Sequence, residues 1–348
     1  MFTSRLLRPG VANPPLQTPN YITCLRTSNP CRSYSTPAAS HVASLPHRHL
    51  LRLSGPDTQK FLHSLTTANI LTFSGCLLHT AFLSPQGRVL FDTFIYPRGD
   101  NEYLLETDRP VELLQHLKRY KMRSKFTMEA VGDISVRATW GSGVPTTAAE
   151  FADPRAEGFG LREVIEAPAT EDQEALKSYK LHRILHGLPE GAEEIIPGSA
   201  LPMESNFDLS KGGIDFRKGC YVGQELTIRT KHTGVVRKRV VPVQLYREGE
   251  EVPGELSFAE RDFGKIEGGS NIKKVDGKGR PVGRWLTGVG NMGLALVRLE
   301  GMTDVKLPGG EEGGLPRWQG EEFAVQDTGV RVKAFVTERM RNYIDGGH

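Results

Sequence analysis

Acidic residues are missing from the start of this chain. None precedes Asp57, whereas Arg5, Arg8, Arg26, Arg32, Arg48 and Arg52 do. Cysteine is scarce: Cys24, Cys31, Cys76 and Cys220 are the only four in 348 residues, too few for a disulfide-built scaffold. No run approaches the roughly 18 consecutive apolar residues of a membrane span, so a spanning helix is excluded. No Asn-x-Ser/Thr acceptor occurs, as expected of an internal compartment. A Walker loop, a paired CxxC and HExxH are also absent, which excludes the commonest nucleotide and zinc motifs.

An acid-free N-terminus containing Arg, Ser and Thr has the composition of a mitochondrial transit peptide. Arg32-Ser33-Tyr34-Ser35 resembles a matrix-processing site, so residues 1–34 read as the transit peptide and the remainder as a matrix protein. Cleavage there removes four arginines and no acid, taking the net charge from +3 to −1. Cys24 and Cys31 leave with it. A nearly neutral mature chain lacks the basic surplus of a nucleic-acid binder. Nucleic acid is therefore not an expected partner, and the lack of a spanning run leaves no membrane partner expected. The length suggests two or three domains, and 24% charged residues is ordinary for a globular chain.

Residues 50–54 read as a strand entering a helix, with Ser54 as N-cap, Pro56 in the first turn and Phe61, Leu62 and Leu65 as the apolar stripe. Runs at 77–83 and 88–96 flank Ser84-Pro85-Gln86-Gly87, a hairpin that places Val89, Phe91 and Ile95 on one face. A strand from Glu102 to Glu106 precedes a helix capped by Asp108, with Val111, Leu114 and Leu117 inward and Lys118, Arg119 and Lys121 at its end. Strands follow at 126–131 and 134–140. This alternation predicts a ferredoxin-like α+β unit at about 100–165. A further helix spans about 171–186, with a Thr170/Gln173 capping box and Gly187 closing it. From Val235 onward β-branched pieces dominate, predicting a C-terminal β-barrel at 236–348 with loop insertions at 247–282 and 300–322.

The most informative segment is Lys218-Gly219-Cys220-Tyr221-Val222-Gly223-Gln224-Glu225. It follows a β-like run, Gly212 to Phe216, and precedes a short helix ending at Gly234. A cysteine just before a helix N-terminus, with Lys218 two residues away, favours thiolate over thiol. Gly219 and Gly223 permit close backbone approach. A small buried hydrophobe is the plain alternative for such a cysteine. Gly288-Val-Gly290-Asn-Met-Gly293 fits a dinucleotide fingerprint but lacks the surrounding β-α-β unit. His182 and His186 share a helix face with no carboxylate to complete a metal set, and His63 and His79 read as structural. Glu204, Asn206 and Asp208 follow a proline turn; a buried Glu with Asn nearby can hold the amino-pyrimidine face of a pterin.

The Lys218–Glu225 segment resembles the signature of the YgfZ-type folate-binding proteins, relatives of the glycine-cleavage T-protein. Further matches run from about residue 50 to 300. They include Leu53-Ser-Gly-Pro-Asp57, Phe82-Leu-Ser-Pro-Gln-Gly-Arg88, Asp153-Pro-Arg155, Gly160-Leu-Arg162, Arg183 with Gly187-Leu-Pro-Glu-Gly191, and Leu201-Pro-Met-Glu204. Mitochondrial members of that family are iron–sulfur cluster assembly factors acting at the [4Fe–4S] stage. The resemblance implies an α+β GcvT-like fold: two interleaved α+β units over 40–235, then the barrel, around a folate cavity.

It further implies tetrahydrofolate lined by Arg88, Asp92, Glu204 and Asn206. Cys220 is the implied functional thiol, a ligand of a [2Fe–2S] or [4Fe–4S] cluster shared with an A-type scaffold partner. Two departures from the T-protein stand out. Its acid pair after the hairpin glycine reads Phe91-Asp92 here, and its Arg-x-Glu-Ala-Gly helix reads Arg183-Ile-Leu185-His-Gly187. Leu185 replaces an acid expected near folate. The alternative activity is folate-dependent one-carbon transfer, as by an aminomethyltransferase.

Overall fold

The computed structural model describes residues 40–99, 101–144, 151–276, 279–307 and 320–346. The transit-peptide reading at 1–34 and most of the insertion expected at 300–322 lie outside the described residues. After β1 (Ser40–Ser44), the chain forms β2 (His49–Ser54), α1 (Thr58–Leu65), β3 (Leu78–Leu83), β4 (Val89–Pro97), β5 (Glu102–Thr107), α2 (Pro110–Lys121) and β6 (Thr127–Val131). These strands, β1 apart, make one sheet in the order β3-β4-β5-β2-β6.

Both β5 and β6 pair antiparallel with β2. They therefore run parallel to each other with β2 inserted between them, which is the split β-α-β of a ferredoxin-like unit. That unit occupies His49–Val131 rather than 100–165. The strands beyond it, β7 (Ser135–Gly141) and β8 (Leu161–Ile165), pair in a separate sheet in the order β1-β7-β8. Val136, Ala138 and Trp140 of β7 bury into a core with Phe159 and Tyr179, away from the Leu51–Leu105–Phe126 core of the first sheet.

Helix phases and caps differ from the sequence reading in instructive ways. Leu113, His116 and Leu117 are the buried face of α2, while Val111 is 63% exposed. His116 packs on Phe82 and Phe91, which rotates the inner seam away from Val111. Ser54 stays in the β2 ladder, and Asp57 takes the N-cap position of α1. Arg109, not Asp108, precedes α2; Asp108 instead accepts the Ala192 N–H at 2.6 Å. In α3 (Gln173–Leu185) the cap is Asp172, which accepts the Ala175 N–H at 3.0 Å, because its short carboxylate sits directly before the first turn.

After α4 (Gln224–Thr233) comes the barrel. Its strands are β9 (Lys238–Tyr246), β10 (Asn271–Lys274), β11 (Gly283–Val289), β12 (Met292–Arg298), β13 (Phe323–Val325) and β14 (Arg331–Ala334). They close in the order β10-β11-β12-β9-β14-β13. Two helices accompany them, α5 (Leu299–Met302) and α6 (Glu338–Asp345). The glycine-rich stretch from Gly288 to Gly293 is the β11–β12 hairpin. A Cβ on Gly293 would lie 2.2 Å from the Trp285 ring, so these glycines make room for an indole and not for a phosphate. No described helix is long and apolar enough to cross a membrane.

Candidate functional site

Cys220 lies exposed on a loop that the rest of its motif ties down. Asp215 begins the tie. Its carboxylate accepts the backbone N–H groups of Arg217 and Lys218 at 2.7 and 3.0 Å and the Asn69 amide at 2.9 Å. The Lys218 ammonium donates to the carbonyls of His63, Thr66 and Ala68 at 2.5, 2.8 and 2.8 Å, where α1 ends and its last carbonyls lack helical partners. The Val222 N–H donates to Ser64 O at 3.1 Å. Burial pulls the Lys218 ammonium down to about 7, against the opposing pull of Asp215. The Lys218 ammonium, expected beside the thiol, is bonded to the end of α1.

The neighbouring residues are equally committed. Tyr221 is buried, with the Lys218 ammonium 4.8 Å from its ring centre. Gln224 accepts the Tyr221 N–H through its side chain at 3.2 Å. Glu225 pairs with Arg229 on the exposed face of α4. Gly223 has φ +81 at the helix entry, and a Cβ there would meet Ser84 O at 2.3 Å. Gly219 is different: its φ is ordinary and a Cβ would meet nothing within 4 Å. The run from Gly212 to Phe216 is irregular rather than a strand, because Gly213 folds close under Phe207, where a Cβ would lie 2.3 Å from its carbonyl.

The four residues expected at a ligand cavity separate into two pairs. Arg88 and Glu204 line one cavity of about 470 Å³ between the N-terminal units and the barrel, together with Lys238, Arg284 and Arg298. Burial raises the Glu204 carboxyl, with Lys238, Arg88 and Arg298 pulling the other way. Arg88 also donates to Ser199 O at 2.8 Å. A smaller, apolar pocket shares Leu201, Glu204, Lys238 and Arg298 with this cavity and is backed by Leu226, Thr227 and Thr230 of α4. It is this smaller pocket that reaches the helix beginning four residues after Cys220.

Asp92 and Asn206 do not line that cavity. The Asn206 amide donates to Gly187 O and Val240 O at 3.2 and 2.8 Å, joining the end of α3 to β9. Asp92 is buried and accepts from Arg48 and from the Gly191 N–H. It belongs to an ion cluster that sequence reasoning missed. Arg162, fully buried, donates to Glu106 and, at 3.1 Å, to Glu190. Arg155 holds Asp153 and reaches Glu190 at 2.7 Å, and Arg48 reaches Glu106 at 2.5 Å. Burial alone would raise Glu106, but Arg162 and Arg48 outweigh it and hold the carboxylate at about 2. The available signal was charge inside short Gly- and Pro-flanked blocks, Asp153-Pro-Arg155 and Gly160-Leu-Arg162.

Cys76 and Cys220 form no disulfide. Among the described residues no group of three or more His, Cys, Asp or Glu side chains could hold a metal. One thiol is therefore what the Cys220 loop offers, on a face open to a partner. Iron–sulfur clusters take four ligands, so a cluster here requires thiolates from elsewhere.

Residues 237–341 match the family model of the CAF17 C-terminal β-barrel domain. The chain is 41% identical over 379 residues to the mitochondrial iron–sulfur cluster assembly factor IBA57 homologue of Neosartorya fischeri, covering 90% of this chain and 84% of that one. A Neurospora crassa protein of the same name is 41% identical, over 87% of this chain and 82% of its own length. Among solved structures, the glycine cleavage system aminomethyltransferase T of Bartonella henselae superposes with a TM-score of 0.59 at 12% identity, covering 87% and 86% of the two chains. The last likeness is one of fold.

Proposed function

Since this chain belongs to the family of mitochondrial IBA57-type iron–sulfur cluster assembly factors, related in fold to the T-protein, we propose that it matures [4Fe–4S] clusters in the mitochondrial matrix. In this reading Cys220 supplies one ligand to a cluster, [2Fe–2S] or [4Fe–4S], that is passed through the complex as cargo. An A-type scaffold protein supplies the remaining thiolates. The observation that carries the reading is the exposure of Cys220 on a loop whose other side chains are committed to holding it. Lys218 closes the end of α1, Tyr221 is core and Gln224 caps its neighbour.

Tetrahydrofolate is the ligand proposed for the 470 Å³ cavity. The fit rests on a half-buried carboxylate facing cations. Glu204 can accept parallel N–H bonds from a reduced pterin, and Arg88, Lys238, Arg284 and Arg298 can meet carboxylates at its other end. When bound, the folate supplies a one-carbon carrier. Catalytic one-carbon transfer is the less favoured reading, because it needs charged groups aligned on the reacting nitrogen. Asp92 is held by Arg48 instead, and Leu185 carries no charge.

The test is reconstitution of a [4Fe–4S] client with an A-type protein, with and without this chain. Addition of the chain is expected to raise cluster yield, and Cys220→Ser is expected to abolish the gain. An equal gain with Cys220→Ser removes the thiol from the mechanism.

A further inference from the structure

We propose that the segment from Lys118 to Lys125, at the C-terminal end of α2, docks on an anionic phospholipid surface. Lys118, Arg119, Lys121, Arg123 and Lys125 fall within this short stretch with no acid among them. Their side chains make no ion pair with another described residue; Lys121 lies 5.1 Å over the Phe126 ring. Asp57, the acid that reaches this turn, uses its carboxylate on the Lys125 backbone N–H at 2.6 Å. The carbonyl end of α2 attracts the cations of the last turn. Arg123 and Lys125 lie beyond the helix, so the dipole does not account for them.

Met122 sits at the apex of this turn. Its φ is +43 and it is 89% exposed. A non-glycine residue at positive φ is strained, and this strain holds an unbranched apolar side chain out in water between two cations. An acidic lipid interface rewards that arrangement: the cations meet phosphates, and the thioether chain enters between head groups. An acidic protein or a nucleic acid would use the charges and gain little from the protruding methionine. The expectation of no membrane partner came from the lack of a spanning run and does not extend to surface docking.

The test uses the full chain and vesicles of phosphatidylcholine with or without about one-fifth cardiolipin at moderate salt. The N-terminal arginines are common to every variant, so differences between variants report the turn. The chain is expected to sediment with the cardiolipin vesicles only. Replacing Lys118, Arg119, Arg123 and Lys125 together by Gln is expected to weaken binding about tenfold or more. Met122→Asp is expected to weaken it several-fold, with unchanged thermal unfolding. Equal binding of these variants, equal binding to neutral vesicles, or loss with the Gln variant but none with Met122→Asp would overturn the proposal.

Discussion

Gly223 packs its backbone against Gly87, so the loop that carries Cys220 and the turn that carries Arg88 share one close contact. A Cβ on Gly223 would lie 3.2 Å from the Gly87 Cα and 2.3 Å from Ser84 O. Gly223→Ala adds this clash to a left-handed φ of +81 and is expected to destabilise the protein by about 1–3 kcal/mol in urea unfolding. Gly219→Ala, four residues earlier, meets open space and is expected to change stability by less than about 1 kcal/mol. Two glycines of one motif should thus give opposite results.

The buried ion cluster is expected to respond steeply to loss of one partner. Arg162→Met leaves Glu106 and Glu190 short of a cation inside the fold. Breaking a buried pair this way costs about 3–5 kcal/mol. Chemical unfolding should show that loss, with the far-ultraviolet dichroism of the surviving folded fraction unchanged.

His79 gives a pH prediction with a definite sign. It stacks on Phe207, bonds to Ser210 at 3.0 Å and is held to about 3 chiefly by burial. An unfolded histidine titrates near its ordinary value of 6.5. The unfolded state therefore binds more protons between those values, and the stability contributed by neutral His79 is lost as pH falls below about 6.5. Its share approaches about 1.4 kcal/mol per pH unit. His79→Phe removes that share, so the stability difference between the two proteins should shrink or reverse toward acid pH. A pH-independent difference would contradict the assignment.

The cavity assignment is checked by ligand binding. Glu204→Gln keeps the shape but gives up the carboxylate that would accept paired N–H bonds. It is expected to weaken tetrahydrofolate by about tenfold or more in equilibrium dialysis, as the loss of a charge-assisted bond implies. Asn206→Ser should act on stability, since its amide joins Gly187 to Val240 rather than facing the cavity.

Much of this architecture was legible in the sequence, and the failures have physical causes. Apolar periodicity located α1, the β3–β4 hairpin and the barrel strand β9, because burial there follows the pattern of Phe61, Leu62 and Leu65 or of consecutive valines. The inner face of α2 was misphased because His116, a polar residue by composition, packs among aromatics. The ferredoxin-like unit was displaced because strand partners lie far apart in sequence: β6 pairs with β2 across α1 and α2. The partners of Arg155 and Arg162 were not legible in the sequence, since only tertiary structure brings Glu106 and Glu190 to them. In the motif, residue types marked Cys220, but the task of Lys218 depended on where α1 ends.

The central claim is that Cys220 ligates a cluster shared with an A-type protein. The most direct measurement is anaerobic co-purification of the two proteins after cluster loading, read by visible absorbance and iron content. A stable heteromeric complex with one bridging cluster is predicted, and Cys220→Ser should lose both the complex and its absorbance. An identical spectrum and iron content with Cys220→Ser would contradict the account.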